Sequence, residues 1–140
     1  MARKILFPED AKLILMDVVP KHYFNLHMGA SIRNLQELAE TLEIMDDATF
    51  KHHVTKNKND FSNWVRDVIN DVDLSKDLLK AKNRKKAFEI TKERIEQLNE
   101  LKKEYLIKEK LKFFNNEFFI GLVLGLVLGF VISAIINSLI

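Results

Sequence analysis

Residues 118–140 read FFIGLVLGLVLGFVISAIINSLI, a run without charge whose polar members are Ser133, Asn137 and Ser138. A helix of this length, at about 1.5 Å per residue, reaches about 35 Å, enough to cross a hydrocarbon core of roughly 30 Å with some tilt. The alternative is a buried core helix. It would require the rest of the chain to cover every face of an apolar rod, and a remainder this rich in charge lacks the surface to do so. A signal peptide is excluded by position, since it would open the chain. The expectation is one transmembrane helix over 116–140.

Upstream, the composition inverts. All 22 Lys and Arg and all 20 Asp and Glu lie at or before Glu117, so a mean hydropathy of −0.10 averages a polar module with an uncharged span. Residues 1–81 hold 11 basic and 13 acidic side chains, whereas 82–112 hold 11 basic and 6 acidic. Lys102, Lys103, Lys108, Lys110 and Lys112 therefore sit on the near side of the span, with no charged side chain on its far side. The positive-inside rule then keeps the N-terminal region in the cytoplasm, and the same lysines attract anionic headgroups. A span that ends the sequence predicts a tail anchor inserted after translation.

Within the span, Gly121, Gly125, Gly129 and Ser133 recur every four residues and Asn137 extends the row. On a helix they form one small-residue face. Close backbone approach and an interhelical hydrogen bond from Asn137 make it a candidate association face for a homo-oligomer. Packing on a different membrane protein is the alternative.

The module reads as mainly α. Gly (4) and Pro (2) are scarce while Lys, Glu, Leu and Ile abound. Zero Cys excludes a disulfide framework, Cys-ligated zinc and a thiol nucleophile, and agrees with a reducing compartment. The opening ARKILFPEDAKLILMDVV suits a strand or a short helix, and Pro8-Glu9-Asp10 favours the helix. HYFNLHMGASI suits a small hairpin turning at Met28-Gly29. Asn34 with Glu37, Asp46 or Asp47, Asn59-Asp60, and Asp71 or Asp73 cap four short helices. Their stripes are Leu35, Leu38, Ala39 and Leu42; Phe50, His53 and Val54; Phe61, Trp64, Val65 and Val68; and Leu74 with Leu78. From 82 a long charged helix follows. Phe88, Ile95, Leu98, Leu101 and Tyr105 give it an interrupted heptad trace, read as a stalk over 82–115 with a parallel coiled coil as the variant. The Asn115-Asn116 pair is expected to interrupt it. The organisation is thus a helical domain with a short β-hairpin over 1–81, a charged stalk and a membrane anchor.

The segments YFNLHMG, SIRNLQELAETL, FKHHV, NDFSNWV and DVINDVDL carry a pattern: Phe50-x-x-His53-Val54, then Asp60-Phe61-x-x-Trp64-Val65, then Asp67, Asp71 and Leu74. This stretch, about residues 20–79, resembles a family of small archaeal domains of unknown function. The chain departs from that pattern at Asn70, where Gly is frequent. The resemblance implies a small helical domain and an archaeal source, and it transfers no activity.

For chemistry, the four histidines His22, His27, His52 and His53 are the metal-site candidates. Neighbours such as His52 and His53 point about 100° apart on a helix and do not serve one ion. His53 falls on the apolar face, where bonding to a backbone carbonyl or to Asp60 is the structural reading of Phe50, His53, Asp60, Phe61 and Trp64. No G-x-S-x-G, H-E-x-x-H or phosphate-cradling Gly loop is present, so neither a catalytic role nor a cofactor is expected. An acidic-leaning domain argues against nucleic acid. The expected function is a membrane-anchored interaction domain with the bilayer, further copies of itself and an unidentified cytoplasmic protein as partners. An oligomeric membrane-assembly subunit, or a His53-dependent metal-binding or enzymatic domain, are the competing readings.

Overall fold

The computed structural model describes residues 7–27 and 29–139, with backbone alone at Asn115. The opening 1–6, Met28 of the expected turn and Ile140 at the end of the span lie outside the described residues. The protein is mainly helical, with a two-stranded antiparallel hairpin and a long C-terminal helix. It divides into two compact units, Met1–Lys103 and Glu104–Ile140.

In the first unit, the helix expected at the start is α1 (Pro8–Ile14). Pro8 supplies a fixed φ at its first position, and the Asp10 carboxylate accepts the Phe7 N–H at 3.1 Å. A single 3₁₀ turn, Pro20–His22, leads into β1 (Phe24–Asn25), which pairs with β2 (Ser31–Ile32). The register sets Phe24 opposite Ile32, so both inward side chains enter the core. Gly29, at φ +86°, provides the left-handed residue that closes this turn. Two residues per strand cannot hold themselves, and Val18 N–H to Arg33 O at 2.9 Å ties the hairpin to the preceding loop.

Capping then sets the helix starts. Asn34 Oδ1 accepts the Glu37 N–H (2.8 Å) and opens α2 (Leu35–Ile44), while Asp46 accepts the Thr49 N–H (2.7 Å) and opens α3 (Asp47–His53). Asn59 caps α4 (Asp60–Trp64) through Ser62 N–H (2.9 Å), and Asp71 caps α5 (Val72–Leu79) through Leu74 N–H (3.0 Å). Where the sequence left a choice between two acidic residues, the first of each pair is the cap. Between α4 and α5 the chain widens into a π turn over Val65–Ile69, terminated by Asn70 in the left-handed region at φ 65°. Asn is one of the few non-glycine residues that visit that conformation routinely, and it serves here as the C-terminal cap of the turn. Leu35, Leu38, Leu42, Phe61, Val65, Leu74 and Leu78 are buried to 2% exposure or less, each such aliphatic or aromatic side chain contributing about 1.5–3 kcal/mol. Ser62 and Ser75 let α4 and α5 approach and satisfy each other, Oγ to Oγ at 2.9 Å.

The last helix is α6 (Arg84–Leu139). Ala87, Thr91, Ile95 and Leu98 are all buried and join the same core, with Phe88, Ile90 and Leu101 packed against it. The compact module therefore extends to Lys103. The interrupted heptad trace is an intramolecular stripe, so the face a coiled coil would use is already covered as far as Leu101. Arg94 locks it: Nε and Nη2 form a bidentate pair with Asp71 at 2.6 and 3.0 Å, and the Asp71 side chain is 1% exposed. Arg84 Nη1 donates to Leu42 O and Glu43 O, closing the C-terminus of α2.

In the second unit, α6 continues through Asn115-Asn116 without a break. Asn costs a helix only about 0.7 kcal/mol relative to Ala, too little to stop one inside a long helical run. Every described side chain from Leu106 to Leu139 is exposed.

Candidate functional site

Two constellations carry the residues singled out in the sequence. The first is aromatic and lies in the module. His53 ends α3 and Asp60 begins α4, and the intervening residues fold back as a tight turn: Thr55 Oγ1 accepts N–H groups of Asn57 (3.3 Å) and Lys58 (3.2 Å). The turn brings His53 Nδ1 to 3.1 Å from Asp60 Oδ2. His53 Nε2 lies 3.2 Å from the His27 backbone nitrogen, which can only donate. Nε2 is therefore the acceptor and Nδ1 carries the proton given to Asp60. Both ring nitrogens are engaged, and the ring is packed by Phe24 (5.1 Å between centroids) and Phe61 (5.3 Å). Phe50 stacks on Phe61 at 6.0 Å, and Trp64 donates its indole N–H to His22 O at 2.8 Å. Phe50, His53, Asp60, Phe61 and Trp64 thus converge on one cluster tying α3 and α4 to the hairpin. Of the two expected partners for His53, Asp60 is the one found; the other is a backbone N–H.

Charge around this cluster is uneven. Burial pushes the Asp60 carboxyl up, but hydrogen bonds from Lys58 (2.8 Å) and His53 outweigh it and hold the group below the usual carboxylate value. His52 stacks on His27 with centroids 3.9 Å apart. Its pKa falls below 6.5, first through desolvation and then through the neighbouring His27, His53 and Lys58, against an opposing pull from Asp60. Stacked rings do not converge their nitrogens, and among the described residues no three His, Cys, Asp or Glu side chains come together as a metal site would require.

The second constellation lies in the second unit. The helix there is long and apolar enough to cross a membrane, with a mean hydropathy of 2.8 over its most apolar 18 residues and none of that window buried within the chain. Gly121, Gly125 and Gly129 have no internal reason to be glycine: a Cβ added at any of them meets nothing within 4 Å, and none adopts a positive φ. Each still costs a helix about 1 kcal/mol relative to Ala in water. Ser133 and Asn137 continue the row, and Ser138 returns its hydroxyl to Ile135 O at 2.8 Å. Of the lysines beside the span, Lys103 pairs with Glu100 and Lys108 with Glu104, each at 2.7 Å, whereas Lys102, Lys110 and Lys112 have no carboxylate partner among the described residues.

Sequence reasoning missed Arg84 and Arg94. Their partners lie 42 and 23 residues away, and no local spacing announces such contacts. No protein-family model matches the chain, and neither a curated protein nor a solved structure matches it.

Proposed function

We propose that the protein is a single-pass membrane protein holding a small, non-catalytic helical domain at the cytoplasmic face, and that copies associate through Gly121, Gly125, Gly129, Ser133 and Asn137. The observation that carries this reading is an apolar helical window with none of its surface buried by its own chain. Such a surface needs lipid or a partner helix. The empty space over three glycines supports association, since a small residue without an internal neighbour serves a neighbour from outside. Lys102, Lys110 and Lys112, free of carboxylate partners among the described residues, support the cytoplasmic orientation. Both His53 nitrogens are engaged within the module, which supports a structural role for this histidine. Oligomerisation through the span multiplies the effective concentration of the displayed domain.

Fractionation tests the anchor. The full chain stays in the membrane pellet after alkaline carbonate extraction, and a chain lacking 113–140 is released; recovery of both in the soluble fraction refutes it. Protease added to sealed right-side-out vesicles leaves the module intact if it faces inward.

A further inference from the structure

We propose that the module carries a binding site for a small, multiply charged phosphate ester, in the cleft between the α3–α4 turn and the α5–α6 corner. This site is independent of the membrane reading. The cleft has a volume of about 640 Å³ and lies wholly within the first unit. That is within the range of roughly 300–1,000 Å³ typical of ligand sites.

Its lining is strongly one-signed. Lys51, Lys56, Lys58, Lys80, Lys82 and Arg84 face a single carboxylate, Asp47. Outside this lining, residues 1–103 hold 13 basic and 16 acidic side chains, so this gathering of cations is not background. Lys58 and Lys80 have carboxylate partners in Asp60 and Asp77. Lys51, Lys56 and Lys82 have none among the described residues, and they come from three places: the α3 surface, the turn and the corner. Like charges brought around one concavity repel unless an anion sits among them.

Two further residues of the lining are Arg84 and Thr55. Arg84 Nε is buried without a hydrogen-bond acceptor among the described residues, the nearest carboxylate oxygen, on Asp47, lying 3.7 Å away. Enclosed by protein, this nitrogen is not itself presented to a ligand, and Arg84 acts on the cleft through its charge. Thr55 Oγ1 already accepts two N–H groups, which leaves its own proton to be donated elsewhere.

The chemistry of the ligand follows. Three unpaired lysines call for several negative charges on a compact body. Phosphate groups supply about −1.5 to −2 each at neutral pH and are well met by lysine point charges. Phe50, Val54, Leu79 and Ala81 add an apolar wall, with Leu79 59% exposed, so the ligand has a planar or apolar part beside its phosphates. A long nucleic acid is disfavoured, because outside the cleft the module offers no basic excess.

The test uses the full chain in phosphatidylcholine nanodiscs at low salt, titrated calorimetrically with pyrophosphate and with ATP. ATP binds saturably and more tightly than pyrophosphate. Lys56→Glu and Lys82→Glu each weaken both probes by about tenfold, a distant Lys103→Glu leaves both unchanged, and Leu79→Asn weakens ATP alone. Trp64 fluorescence on unfolding confirms that the variants keep the native fold. Adding phosphatidylglycerol to the nanodiscs separates the sources of phosphate: competition with ATP assigns the site to headgroups, and unchanged ATP affinity assigns it to soluble esters. The proposal is overturned if neither probe saturates at millimolar concentration. It is equally overturned if Lys103→Glu weakens binding as much as the cleft variants, or if an oligonucleotide outcompetes ATP with an affinity indifferent to Lys82→Glu.

Discussion

Two stretches of α6 treat their apolar side chains in opposite ways. Between Arg84 and Leu101, Ala87, Thr91, Ile95 and Leu98 form a narrow buried stripe among charged neighbours. From Leu106 to Leu139 the helix is far more apolar, yet no described side chain is buried. Hydrophobicity alone would have assigned the core to the second stretch. Periodicity decides instead: a one-sided stripe finds its partner in its own chain, whereas a helix apolar on all sides has more surface than a module of this size can cover. Bearing polar side chains on the other faces, the first stretch has one place to put its stripe.

The contrast is broken most severely through Arg94. Replacing it by Met strands Asp71 as an uncompensated buried charge, and the module should lose about 3–5 kcal/mol of unfolding free energy. Denaturant unfolding of the full chain, followed by the single Trp64, measures the loss. The matching change in the other stretch, Lys108→Met, should leave the midpoint unmoved because its Glu104 partner is solvated. Equal midpoints for Arg94→Met and wild type would show that α6 is not locked to the module.

Cavity formation sharpens the comparison at a similar or smaller scale. Leu98→Ala, at a site with 0% exposure, should cost about 2–5 kcal/mol, while Leu126→Ala, 67% exposed within the chain, should not alter module unfolding. Gly125→Ile should do the converse, keeping the unfolding midpoint and weakening association between copies by about tenfold or more in a membrane two-hybrid or crosslinking assay. If Gly125→Ile and wild type associate equally, the glycine row is not an interface.

Much of the module was legible because its signals are local. The caps at Asn34, Asp46, Asn59 and Asp71 each act over three residues, and the hairpin is set by Phe24, Gly29 and Ile32 within nine positions. The packing of the first part of α6 onto the core was less legible. The stripe that carries α6 into the core includes Ala87 and Thr91, whose small or polar side chains barely register as apolar, and its lock depends on an acid 23 residues upstream. The aromatic cluster was visible as spacing around His53 and Trp64. Its closure by the His27 N–H was not, because a backbone donor leaves no trace in residue identity. The cationic cleft is assembled from lysines on three segments, each unremarkable where it stands.

The smallest expected effect concerns pH and keeps the comparison within the first unit, since the span has no titrating side chain. The folded module holds His52 below its usual pKa of 6.5, through desolvation first and then its neighbours His27, His53 and Lys58. The unfolded chain therefore binds this proton at a higher pH than the folded one does. Stability contributed here is complete above 6.5, declines as pH falls below it, and stops declining once the folded histidine is also protonated. Asp60 acts in a separate, lower window: its folded value lies below 3.8, so its contribution is present above 3.8 and fades only as pH falls toward the folded value. His52→Gln, which cannot titrate, should flatten the decline that begins near 6.5 and leave the acidic limb in place. Unfolding midpoints measured across both windows check this, and a variant that retains the full upper decline would assign that titration to another group.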